Sequence, residues 1–110
     1  PIKLAGHLCE TLSLEKSNNK VEYFNYSKLT FPLKLRKWKS GDKIQPLGMK
    51  GNKKISDILI DSKISILEKE NIYILESKND IIWVIGVLIN DRYKVDNNCS
   101  LFYKIVYQEN

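Results

Sequence analysis

The stretch LKLRKWKSGDKIQPLGMKGNKK, Leu33 to Lys54, decides how this chain is read. It opens with alternation, placing Leu33, Leu35 and Lys37 on one side and Lys34, Arg36 and Trp38 on the other. That period predicts a strand over Leu33 to Trp38. Ser40-Gly41-Asp42 then supplies turn chemistry, and Pro46, Gly48 and Gly51 mark a second, longer loop. The segment holds eight of the chain's 18 Lys and Arg residues and one of its 13 Asp and Glu residues. It therefore carries +7 in a chain of net +5, and the other 88 residues carry −2. Positive charge concentrated on one turn-rich segment points to an anionic partner meeting the protein there.

Working outward, strand-like segments lie on both sides. His7 to Leu14 and Lys20 to Phe24 read as an antiparallel hairpin across Ser17-Asn18-Asn19-Lys20. Asn25 to Leu29 reads as a turn or a single helical turn. Ile72 to Glu76 and Ile81 to Val87 predict a second hairpin across Ser77 to Asp80, and Leu101 to Tyr107 a closing strand. Between Asn52 and Asn71 the period changes. Ile55, Ile58 and Leu59 share a helical face, with Asn52 or Ser56 as the expected cap. Ser65-Ile66-Leu67-Glu68 opens a second short helix with a capping-box pattern. The expected fold is a single α+β domain, strand-rich, of about six strands with a short two-helix insert.

Several chemistries find no support. Cys9 and Cys99 lie far apart and His7 is the sole histidine, so no zinc ligand set completes itself. Two reduced, mostly buried cysteines fit a cytoplasmic protein. The apolar run from Ile81 to Ile89 is too short to cross a bilayer, so no membrane partner is expected. Asp57 and Asp61 could share a helix face, but two carboxylates alone rarely complete a magnesium site, and a solvated face is the simpler reading. No phosphate loop of the GxxxxGK[ST] type is present. Gly48-Met49-Lys50-Gly51 matches the GxxG of one RNA-binding fold, but that motif must join two helices, and here it reads as a loop. Trp83 sits in an apolar strand and reads as core; Trp38, between Lys37 and Lys39, could stack on a base. No catalytic residue, metal ligand or cofactor is expected in this chain. Its lysines suit phosphate contacts, and its two arginines, Arg36 and Arg92, suit bidentate ones.

The order of residues also resembles a known family. Leu35-Arg36, Ser40 to Ile44, Pro46 to Gly51, Lys53 to Asp61 and Lys63-Ile64 are similar to the C-terminal domain of bacterial tRNA(Ile)-lysidine synthase. The likeness resumes at Ile82 to Gly86 and at Asp91-Arg92-Tyr93-Lys94-Val95, and spans about Pro32 to Val95. It departs over Ser65 to Asn71, which is less basic than is usual in the family, and at Tyr73, where the family tends to have Pro.

The resemblance implies a fold like a sandwich domain of the phenylalanyl-tRNA synthetase beta subunit. It also implies a parent enzyme that uses ATP and magnesium to adenylate the wobble cytidine of an isoleucine tRNA, which lysine then attacks. The family's Ser-Gly-Gly-x-Asp-Ser signature is absent here, so the chain alone is expected to be inactive. Its opening on Pro1 fits a piece of a longer protein whose catalytic domain lies elsewhere. The implied role is to hold tRNA on its acceptor-stem side through Lys34, Arg36, Lys37, Lys39, Lys43, Lys50, Lys53, Lys54, Lys63, Arg92 and Lys94. Gly41, Asp42, Pro46, Gly48 and Gly51 would shape the loops. The rival reading is an interaction or dimerisation module that rigidifies the parent enzyme, as a homodimer for example, without touching RNA. A second rival, a small enzyme in its own right, rests only on Asp57 and Asp61.

Overall fold

The computed structural model describes residues 2–10 and 20–109. Its strands are β1 (Ile2–Cys9), β2 (Val21–Asn25), β3 (Leu33–Lys37), β4 (Lys43–Ile44), β5 (Lys53–Lys54), β6 (Tyr73–Ser77), β7 (Asp80–Val84), β8 (Leu88–Ile89) and β9 (Phe102–Glu109). Two helices, α1 (Ile55–Asp61) and α2 (Ile66–Lys69), lie between β5 and β6. Single 3₁₀ turns cover Tyr26–Lys28 and Asp91–Tyr93. Six of the nine strands have five residues or more, and these answer to the six expected.

The strands form a three-stranded sheet ordered β1-β9-β2, a four-stranded sheet ordered β3-β6-β7-β8, and a small β4-β5 ladder. Phe24 of β2 and Ile105 of β9 meet Leu75, Ile82, Trp83 and Ile89 from the larger sheet, so the two sheets close on one core. The opposite face of the larger sheet is covered too. There Ile74, Ile81 and Val84 pack against Ile44 of β4 and Ile55, Ile58 and Leu59 of α1. This two-sided burial explains why β7 is a continuous apolar run rather than an alternating one. Its burial also carries energy, since each fully buried Ile or Leu is worth roughly 1.5–3 kcal/mol. A bulge between Leu75 and Glu76 shifts the β6–β7 register from Leu75↔Trp83 to Glu76↔Ile81. The extra residue, Ile82, can thus join its neighbour Trp83 on the same core.

The second hairpin forms where the sequence predicts it, with Lys78 in the left-handed region at φ 56°. Trp83 is core, at 1% exposure. Ser65 Oγ accepts from Glu68 N–H, as the capping box requires. Asn25 caps the 3₁₀ turn that follows it.

Three expectations need correction. β1 and β2 are not a hairpin, because β9 lies between them and pairs with both. β9 is the strand with an apolar face to bury from the centre: Ile105 is 2% exposed, and it lies opposite Gly6 on one side and Glu22 on the other. The first strand also begins at Ile2 rather than His7; its expected end at Leu14 and the turn at Ser17 to Asn19 lie outside the described residues. Finally, α1 is preceded by Lys54 with no side-chain cap, because Asn52 lies before the β5 ladder and Ser56 already within the helix. Ile55 N–H is satisfied instead by Asp42 O at 2.9 Å.

Candidate nucleic-acid interface

The basic segment folds as β3, a tight turn, β4, a loop, and β5. Both connections use the same device. Asp42 N–H closes on Lys39 O and Met49 N–H on Pro46 O. In each, the third turn position is glycine, Gly41 at φ 95° and Gly48 at φ 82°. A side chain there would be strained, which is why glycine occupies it. Gly51 also has positive φ, at 93°. The GxxG stretch thus joins two strands and not two helices.

Carboxylates fasten this segment to the sheet. Arg36, from β3, donates through Nε to Glu76 at 2.8 Å, and through both terminal nitrogens to Asp42 at 2.9 and 3.0 Å. A fourth donor reaches Lys37 O at 3.1 Å. Asp42 in turn accepts from Lys39 N–H at 2.8 Å. Burial pushes the Asp42 carboxyl up, but Arg36 and the Lys39 amide outweigh it and hold it below its ordinary value. The same hydrogen bond to Asp42 raises Arg36 further. At the other end, Asp91 Oδ1 accepts from Lys94 Nζ and from Gly48 N–H, both at 2.9 Å, and these hold its carboxyl low. Asp91 N–H donates to Gln45 O at 2.9 Å, and Pro46 bridges to Asn90. The loop carrying Lys50 is therefore pinned at both ends of its glycine turn.

This geometry divides the expected contact residues into two groups. Arg36, Lys53, Arg92 and Lys94 are engaged with carboxylates: Arg36 as above, Lys53 with Asp61, Arg92 with Asp80 at 3.5 Å, and Lys94 with Asp91. Lys34, Lys37, Lys39, Lys43, Lys50, Lys54 and Lys63 are exposed and have no carboxylate partner among the described residues. Lys37 lies over the Tyr73 ring, 5.9 Å from its centroid. Lys63 adopts φ 57° just past α1.

Lys43 and Lys54 are the most telling pair. They stand directly opposite each other in the β4–β5 ladder. Like charges so placed lower stability, by roughly 0.2–1 kcal/mol in this kind of pair. Neither has a carboxylate partner among the described residues.

Trp38 occupies the middle ground between core and surface. Its indole N–H donates to Lys69 O at 2.6 Å, and its ring packs against the α1 side of the core. Its outer edge lines a hollow with Lys37, Lys39, Ser40, Lys69 and the acid Glu70. Lys69 joins the basic surface only because α2 folds back onto Trp38, a contact no sequence period announces. Asp61 pairs with Lys53, and among the described residues no group of three or more His, Cys, Asp and Glu side chains converges. Cys9 and Cys99 are free thiols, each half-buried. No helix among the described residues is long and apolar enough to cross a membrane.

Comparison with known proteins bears directly on this site. The family model of the TilS substrate C-terminal domain matches residues 33–105, which include the whole basic segment. A tRNA(Ile)-lysidine synthase from Parabacteroides distasonis is 45% identical over 83 residues, covering 76% of this chain and 19% of that protein. The chain spans about one fifth of the length of the relatives it matches. A crystal structure of a TILS C-terminal domain superposes with a TM-score of 0.81 at 22% identity, over 97% of this chain and 83% of that one. An N-terminal fragment of the phenylalanyl-tRNA synthetase beta subunit from Pyrococcus horikoshii gives a TM-score of 0.68 at 17% identity, over 79% of this chain and 27% of that one. These two likenesses carry the fold, and they are the two the family resemblance implied. The family model covers the charged segment, the helical insert and the four-stranded sheet and ends within β9, and by that match the chain belongs to the TilS substrate C-terminal domain family.

Proposed function

We propose that this chain is the tRNA-holding C-terminal domain of a tRNA(Ile)-lysidine synthase. It binds the acceptor-stem side of an isoleucine tRNA in the cytoplasm and does no chemistry itself. ATP, magnesium and the ligation of lysine belong to the catalytic domain of the parent enzyme, which is this domain's partner in cis. The observation that carries the reading is the set of seven lysines without carboxylate partners, above all Lys43 opposite Lys54. A protein that needed only solubility would gain by placing an acid at one of these positions. An A-form stem offers the missing anions, and phosphate contacts of this kind orient the RNA without reading its sequence.

Lys54→Glu tests the reading, because stability and binding should move in opposite directions. It replaces a repulsive cross-strand pair with an attractive one, so the domain should gain about 0.2–1 kcal/mol. Binding to an acceptor-stem minihelix should weaken, and the salt slope should fall by about one. Unchanged binding with raised stability would make these lysines a merely solvated face.

The rival reading, an interaction or dimerisation module, draws on Ile66 and Leu67 of α2, which are 77% and 78% exposed. Concentration-dependent size exclusion would show self-association, which the tRNA-holding reading does not require.

A further inference from the structure

Beside Lys43 lies a polar cleft of about 290 Å³. That is the low end of the range for small-ligand sites, ~300–1,000 Å³, and unlike most of them it is polar rather than apolar. Its floor is the Arg36 ion pair with Asp42 and Glu76, and its wall is Asp80 with Arg92. Counting Lys43, three bases meet three acids, so the cleft is formally neutral within a basic surface. A phosphate would meet three carboxylates there and gain little. No aromatic side chain lines it, so no base is stacked.

What the cleft does offer is open hydrogen-bonding capacity of both kinds. Asn52 and Asn79 are exposed at its rim, and their amides have no hydrogen-bond partner among the described residues. Asp80 accepts from Tyr93 Oη at 2.5 Å through Oδ2, while Oδ1 has only the 3.5 Å approach of Arg92. A sugar hydroxyl matches this set: it donates to a carboxylate or amide oxygen and accepts from an amide N–H.

We propose that the cleft takes the ribose face of an RNA strand, with a 2′-hydroxyl seated among Asn52, Asn79 and Asp80 while Lys43 meets the adjoining phosphate. This rests on the RNA-binding reading above and adds to it a means of telling RNA from other polyanions. In A-form duplexes the 2′-hydroxyls are displayed in the wide, shallow groove, where a protein surface can reach them.

The test compares the binding of two duplexes of one sequence, RNA and its fully 2′-O-methylated form, to the wild-type chain and to Asn52→Ala and Asn52→Ala/Asn79→Ala variants. The methylated duplex keeps charge and A-form shape but loses every 2′-hydroxyl donor. The wild type should prefer the unmodified duplex by about threefold to tenfold, the worth of one or two hydrogen bonds. The variants should bring that ratio toward one while leaving the salt slope unchanged, since no cation is removed. Asn52 lies outside the strands and helices, so the single variant stands if the turn at Asn79 proves sensitive. Equal wild-type binding to both duplexes, or a preference that survives both substitutions, overturns the ribose assignment alone. Failure to bind either duplex overturns the RNA-binding reading together with it.

Discussion

Replacing Arg36 by Met should unfold the domain more readily and leave its electrostatic grip on RNA unchanged. Arg36 makes three hydrogen bonds of 2.8–3.0 Å to two carboxylates. The side chains of Asp42 and Glu76 are only 7% and 14% exposed, and Arg36 itself 22%. Methionine fills similar space but strands both acids. Breaking a buried pair costs ~3–5 kcal/mol, and the partial exposure of Arg36 sets the expectation at the lower end, about 3 kcal/mol. With a urea dependence of ~1–3 kcal/mol per molar, the unfolding midpoint should fall by roughly 1–3 M near neutral pH.

The pH dependence supplies an internal check. In the wild type the Asp42 carboxyl is held below its ordinary value, so its contribution is present above the unfolded pKa and is lost as pH falls through the folded one. In the variant burial is opposed by Lys39 alone, so the protonated form is favoured more than in the wild type. The gap between wild type and variant should therefore narrow as pH falls through the ordinary carboxyl value of 3.8 and below it. A midpoint shift under about 0.3 M, or a gap that ignores pH, would refute the structural role assigned to Arg36. So would a reduced salt slope for RNA binding in the variant, which would return Arg36 to the interface.

Two further outcomes follow from a half-buried acid and a buried amide. Glu22 on β2 is pushed up to about 7 by burial, from an ordinary 4.5. Because the folded state holds this proton more tightly, stability falls as pH rises from 4.5 through 7, so Glu22→Gln should stabilise the domain at pH 8 and do little at pH 4. After discounting for partial exposure, the gain is roughly 1–2 kcal/mol, readable by thermal melts across that range. Asn90 is 1% exposed, donates to Ile81 O at 2.9 Å and caps the turn at Arg92 N–H, also at 2.9 Å. Asn90→Ala should cost about 1–3 kcal/mol in urea unfolding and loosen the Asp91 clamp on Gly48, visible as faster amide exchange at Gly48.

How much of this was legible beforehand depended on the range of the interactions involved. The β6–β7 hairpin, the 3₁₀ turn after Asn25, the helical spacing of Ile55, Ile58 and Leu59 and the Ser65 cap are all set within a few residues, and the sequence pattern shows them. The insertion of β9 between β1 and β2 rests on pairing across nearly the whole chain, as at Ile2↔Glu109, and no local period encodes it. Strands of two residues, β4, β5 and β8, are too short to display alternation at all. The Leu33–Lys37 alternation exists, but Leu33 and Leu35 line a groove with Phe31 and Tyr103, and Leu35 is left 37% exposed.

The candidate site shows the same split. Lysine positions can be counted in a sequence, whereas their pairing cannot. Glu76 lies 40 residues from Arg36, and only the β3–β6 register brings them together. Asn52, Asn79 and Asp80 are unremarkable turn or loop residues until the fold sets them around one cleft.

The measurement closest to the central claim is the salt dependence of binding between this chain and an acceptor-stem minihelix, with an anticodon stem-loop alongside. If about four of the seven unpaired lysines meet phosphates, log K should fall against log salt with a slope of roughly −3 to −4, and the minihelix should bind more tightly than the stem-loop. No binding to either RNA, or binding indifferent to salt, would contradict the claim that this surface holds tRNA.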